Sequence, residues 1–233
     1  MEKLIYALWR GPGESPDAYA QRLRTDLAEA LRAAGARALR VNVADGAVEP
    51  AAGLRQTHTR PPPDAFVNVW VDSANNALRK PLDEAVAAYS LRHAAYLVSE
   101  SQPLRNRRPQ RAGERTEGFA QIALLQRPQR LSYEEWLGIW HDLHTPVAIE
   151  TQSNFEYIQN QVIRRLTPGA PAWDAIVEEC FPAGAMNDPY VFFDAPGDEA
   201  RFQRNLQRMM ESVHRFIDMD RLDVVPTSQY LVF

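Results

Sequence analysis

Cysteine occurs once, at Cys180, in a chain of 233 residues. A lone thiol cannot close an internal disulfide or furnish a cysteine-rich zinc site, which points to a reducing compartment and a cytoplasmic address. No apolar run approaches the ~20 residues that a membrane-spanning helix needs. The N-terminal MEKLIYALWRGPGE also lacks the basic flank and long apolar stretch of a secretory leader. A glycine-rich phosphate loop of the Walker or dinucleotide type is missing too, which argues against a nucleotide cofactor. Nor does one sign of charge dominate, the net charge being −4. Its distribution is uneven: residues 1–116 hold 17 Lys/Arg and 13 Asp/Glu, residues 117–233 hold 9 and 17. Much of the basic excess is the run Arg105, Arg107, Arg108, Arg111 and Arg115. Without interleaved aromatics or a nucleic-acid module this reads as a solvated connection, and no nucleic-acid partner is expected.

What is present is 45% apolar residues, enough for a sizeable core, written in a pattern that occurs twice. At a shift of 117 residues LIYALWR (4–10) falls on QIALLQR (121–127), Ser15 on Ser132, Tyr19 and Leu23 on Trp136 and Trp140, and Arg40 to Val43 on Tyr157 to Asn160. At a smaller shift AFVNVWVD (65–72) resembles DAIVEECF (174–181). Helical patterns at 82–95 and 198–217 and strand-like ends at 96–101 and 229–233 complete β-α-β-β-α-β in each half. The expected fold is α+β: two tandem ferredoxin-like halves, 1–102 and 118–233, joined by a polar linker at 103–117, with antiparallel sheets packed face to face. A cavity between the sheets would be lined by Arg40, Asn42, Phe66, Asn68 and Trp70 from the first half, and by Tyr157, Gln159, Ile176, Glu178 and Cys180 from the second. Residues 44–59 read as a loop without pattern.

The stretch 131–148, LSYEEWLGIWHDLHTPVA, holds two histidines beside two tryptophans. Ser132 and Glu135 make a capping box that starts a helix. At about 100° per residue, Trp136, Trp140, Leu143 and Val147 share an apolar face, His144 lies on its flank, and His141 turns toward solvent. Pro146 restricts Thr145 and places His144 near the helix end.

The second half resembles the EthD family of dimeric α/β-barrel proteins. The residues that carry the resemblance are Gln126-Arg127-Pro128, Leu131 to Trp136, Trp140-His141-Asp142-Leu143-His144-Thr145-Pro146, Tyr157 with Gln159-Asn160, and Asp174 to Glu178. The first half shares the layout and lacks the histidine-proline pattern. The resemblance implies a barrel, cofactor-free handling of small hydrophobic metabolites, and an acid/base role for His144, where Thr145 replaces the usual following glycine.

In the first half Leu27 occupies the place of His144, so packing does not demand a histidine there, and His144 is read as a general acid or base. Glu178 is its candidate partner. Tyr157, Gln159, Trp140, Arg40, Asn68 and Trp70 are read as substrate-binding, and Cys180 as a small buried side chain. His141 and His144 diverge by about 60°, and no further ligands converge with them, so no metal is expected. The function that follows is cofactor-independent proton transfer on a small aromatic or polyketide-like metabolite, in cyclisation, dehydration or decarboxylation. The alternatives are a non-catalytic binding or accessory protein and a haem-binding barrel. A homodimer is a possible assembly.

Overall fold

The computed structural model describes residues 1–233. The first half runs β1 (Glu2–Trp9), α1 (Pro16–Arg24), α2 (Asp26–Ala33), β2 (Ala38–Val43), β3 (Ala65–Val71), α3 (Asn76–Ala88), β4 (Arg92–Leu104). The second runs β5 (Phe119–Leu125), α4 (Tyr133–Gly138), a π-helical stretch Ile139–His144, α5 (Thr145–Thr151), β6 (Glu156–Arg165), β7 (Ala175–Phe181), α6 (Pro189–Phe192), α7 (Glu199–Phe216), β8 (Asp223–Leu231). Short apolar runs form the strands, which in β1 and β7 are buried on both faces, and side-chain caps start the helices: Ser15 accepts from the Ala18 amide, Ser132 from Glu135, and Asp198 from Arg201.

All eight strands join into one closed antiparallel barrel, in the order β1-β3-β2-β8-β5-β7-β6-β4. Each half contributes four consecutive strands in the same order, and the halves meet edge to edge where β2 pairs with β8 and β4 with β6. Closure leaves no unpaired sheet edge. The antiparallel α+β plan is therefore as expected, with the two sheets curved into a single wall whose inner faces oppose each other.

Inside the barrel, Ile5, Phe66, Tyr96, Ile122, Leu124, Ile176, Val225 and the loop residue Trp173 form a shared core. Outside, each half buries its sheet beneath its own helices. In the first half Leu4, Tyr6, Leu8, Tyr19, Leu23 and Leu27 belong to a filled cluster of 22 residues. The corresponding cluster of the second half holds 11, among them Trp136, Trp140, Tyr157, Val177, Met209 and Phe216.

The helix carrying the histidines departs from expectation. It continues through Pro146 as α5, because the Ile139–His144 stretch widens to π geometry and the Thr145 amide bonds back to the Trp140 carbonyl, five residues earlier. A proline is tolerated where the preceding turn is already widened. The wider turn also resets the helical phase. Trp136, Trp140, His144 and Ala148 share the buried face, while Leu143, expected there, is 51% exposed.

Candidate active site

The free space lies between the outer face of the second sheet and its helices, a cavity of about 620 Å³. This corrects the expectation of a chamber between the two sheets: the barrel interior is occupied by the apolar core and by a network of buried charges. Ala123, Leu125, Tyr157, Val177, Glu179 and Val224 form the cavity floor, Trp140, His144, Met209 and Phe216 its helical wall, and Met186, Phe192 and Phe193 one flank. Pro50, Gly53, Leu54 and Gln56 of the first half close another side. The segment read as a patternless loop thus crosses to the second half, with a 3-10 turn at Gly46–Leu54. Reciprocal backbone bonds between Gln56 and Val224 fix it (3.1 and 3.0 Å), as does the Asp223 carboxylate, which accepts from the His58 and Thr59 amides at 2.7 and 2.8 Å.

His144 is 8% exposed, with Nδ1 3.0 Å from the Ser212 hydroxyl and its ring 4.6 Å from that of Phe216. Burial lowers its pKa to about 4, so the imidazole is neutral at pH 7. Nε2 makes no hydrogen bond within the chain, and the ring lines the cavity. Glu179 receives one bond, from Asn154 Nδ2 to Oε1 at 3.0 Å, and its second oxygen makes none. Burial raises this carboxyl to about 7, and the single Asn154 bond offsets little of that. Tyr157 stands directly opposite Glu179 across the β6–β7 pair and accepts a 3.0 Å bond from Trp140 Nε1. Burial, and next the Glu179 charge, push its phenol well above the usual range.

Of the residues expected at the site, His144, Trp140 and Tyr157 come together on this cavity. Gln159 shares the outward face but lies behind it, donating to Thr145 Oγ1 at 2.8 Å and accepting from Ser101 at 2.9 Å. Glu178, Arg40, Asn68 and Trp70 are on the opposite face of the sheet. Glu178 accepts from Asn42 and Gln229 at 2.6 Å each and from Arg40 at 3.2 Å. Burial raises the Glu178 carboxyl, but Arg40, Lys3 and the two amides outweigh it and hold the group below its ordinary value. Strand alternation is the physical reason: successive residues face opposite ways, and a one-residue slip exchanges the faces. The pairing Arg40↔Asn68 in β2–β3 corresponds to Ile158↔Glu178 in β6–β7, so Ile158, not Tyr157, matches Arg40.

Glu156, Glu178 and Cys180 also cluster inside the barrel, with candidate ligand atoms within 4.8 Å of one another. Arg40, 3.2 Å from Glu178 and 4.0 Å from Glu156, already supplies the positive charge, and Gln229 donates to both carboxylates. Cys180 is buried there and donates to Glu156 at 3.3 Å. His141, expected to be solvated, is half-buried against the Trp140 ring at 4.6 Å, with Nε2 unpartnered. Toward a haem the cavity offers no lysine or arginine for the propionates, and its carboxyl groups are Glu179 and Asp188.

Sequence reasoning missed Glu179. Its signal was an acid on the face of β7 that also carries Val177, the face that helices cover.

No protein-family model and no curated relative matches the chain. Solved structures do share its fold. One is an anthrone oxidase-like protein, 7% identical, TM-score 0.54, with 100% of this chain and 91% of that one covered. Another, from Fusobacterium nucleatum subsp. nucleatum, is named "Putative monooxygenase"; it is 8% identical, with TM-score 0.51 and coverage of 100% and 92%. These likenesses extend over the whole chain and are likenesses of fold alone. No helix is long and apolar enough to cross a membrane.

Proposed function

We propose that the helix–sheet cavity is the active site of a cofactor-independent enzyme that takes a proton from a small, largely apolar aromatic or polyketide-like metabolite, next to a carbonyl. The observation that carries this reading is Glu179, a carboxyl with a pKa of about 7 in an apolar cavity, one oxygen held by Asn154 and the other free. A base whose pKa lies near the working pH combines a useful charged fraction with real affinity for the proton. In the proposed step Glu179 takes the proton, and the electron pair it leaves spreads onto the substrate carbonyl as an enolate. In the tautomer this step uses, Ser212 donates to Nδ1 across their 3.0 Å contact, and neutral His144 carries its proton on Nε2 and offers it to that oxygen. Tyr157, whose oxygen is held by Trp140, is a second donor.

Cyclisation and dehydration both start from such an enolate, and so does cofactor-free reaction with dioxygen. The last fits the names of the two solved structures of similar fold. In this reading residues 118–233 form an EthD-like half that holds the chemistry, and residues 1–102 supply the other barrel wall and the crossing segment.

Nitrobenzisoxazole tests the base directly, because loss of one C–H proton opens its ring to a coloured phenoxide. Wild-type protein should catalyse the opening and Glu179→Gln should lose about 10²-fold or more. Equal rates for the two proteins would refute the assignment.

A further inference from the structure

Methionine is scarce, five residues in all, and apart from Met1 each one lines the cavity: Met186, Met209, Met210 and Met219. Unbranched thioether chains refit around ligands of different shape at low cost, and here they sit among the stiffer Trp140, Phe192, Phe193 and Phe216, so part of the wall can give. The chain carries 26 lysines and arginines, yet none lines the cavity. The charged or titratable groups that do are Glu179 on β7, Tyr157 on β6, His144 on the π-helical stretch and Asp188 before α6. An anion entering this space loses water, gains no counter-charge and meets carboxylates.

We propose that the cavity sorts ligands by charge more than by outline, accepting uncharged aromatic molecules of varied shape and rejecting carboxylated or phosphorylated molecules of the same shape. The inference rests on the cavity being the substrate site, and does not require Glu179 to act as a base. It narrows the reaction: a free carboxylate is a poor substrate, which sets decarboxylation aside and favours cyclisation, dehydration or oxidation of a neutral compound. A reaction that removes or masks a carboxylate must then precede this one wherever the precursor is an acid.

The test is calorimetric titration of the whole chain at pH 8 with naphthylmethanol, naphthoate and anthracenylmethanol. Naphthylmethanol should bind about tenfold or more tighter than naphthoate. Anthracenylmethanol should bind within about threefold of naphthylmethanol. Glu179→Gln should narrow the gap between neutral and anionic probes, and Gln121→Lys, which adds a cation to the wall, should improve naphthoate binding. Naphthoate binding as tightly as naphthylmethanol, or no binding of either alcohol, would overturn the proposal. If charge selection holds while Glu179→Gln keeps full ring-opening activity, the proton-transfer reading fails alone. If ring opening depends on Glu179 while naphthoate binds as well as the alcohol, charge selection fails alone.

Discussion

Glu178 and Glu179 are neighbours in β7, and the sheet between their side chains gives them opposite states. Glu178 turns into the barrel, where Arg40, Asn42 and Gln229 satisfy it and keep it ionised. Glu179 turns outward beneath the helices, where Asn154 is its one partner and burial favours the protonated form. The same residue type serves as structural glue on one face and as a candidate base on the other.

Glu179 should leave a mark on stability as well as on activity. Its folded pKa of about 7 exceeds its ordinary 4.5, so between those values the folded state binds more protons than the unfolded one. Stability therefore falls as pH rises through that window, by about 3 kcal/mol, and levels off above it. In urea unfolding from pH 4 to 8, the stability of Glu179→Gln relative to wild type should therefore rise by about 3 kcal/mol.

His144 contributes with the opposite sign. Its folded pKa of about 4 lies below the ordinary 6.5, so the unfolded chain binds the extra proton and stability falls as pH drops from 6.5 to 4, by about 3 kcal/mol. The two terms largely cancel over their shared range. His144→Phe should unmask the Glu179 decline in the same urea series, and Glu179→Gln should unmask the acid loss.

Arg40→Met should cost about 3–5 kcal/mol, because it removes the cation beside the buried carboxylates of Glu178 and Glu156 and leaves Lys3 and two amides to hold Glu178. It should leave the rate of nitrobenzisoxazole opening per folded molecule unchanged, since Arg40 lies across the sheet from the cavity. Chemical denaturation and the ring-opening assay on one preparation check both halves of this prediction.

Thr145→Val removes a hydroxyl that bonds to the Trp140 carbonyl at 2.9 Å and accepts from Gln159 at 2.8 Å. Leaving the buried Gln159 amide unsatisfied should cost about 1–3 kcal/mol in urea unfolding. Loosening the π-helical stretch should also lower the ring-opening rate, because that stretch aims His144.

Period-2 alternation and repeated spacing were enough to read eight strands and to assign Arg40, Asn42, Phe66, Asn68, Ile176, Glu178 and Cys180 to one face. They could not say which face adjoins empty space, because that depends on how completely the helices fill their own side of each sheet. Leu27 and its neighbours fill it in the first half, whereas around His144 they do not. The widened turn at Ile139–His144 was equally hidden. An extra residue in a helical turn leaves no mark in composition, yet it moved His144 from the flank to the buried face and sent Leu143 to solvent. Tyr157 and Gln159 were misplaced by a one-residue slip in the internal alignment, which reverses a strand's faces. The crossing segment at 46–56 carries no periodic signal, and its role depends on long-range anchoring by Val224 and Asp223.

The most direct test is the pH profile of nitrobenzisoxazole opening, wild type against Glu179→Gln. The wild-type rate should climb through a single titration with a midpoint at about pH 7, and the variant should be flat and slower by about 10²-fold or more. A wild-type midpoint at the ordinary carboxylate value of 4.5, or a variant that keeps the wild-type profile, would contradict the account.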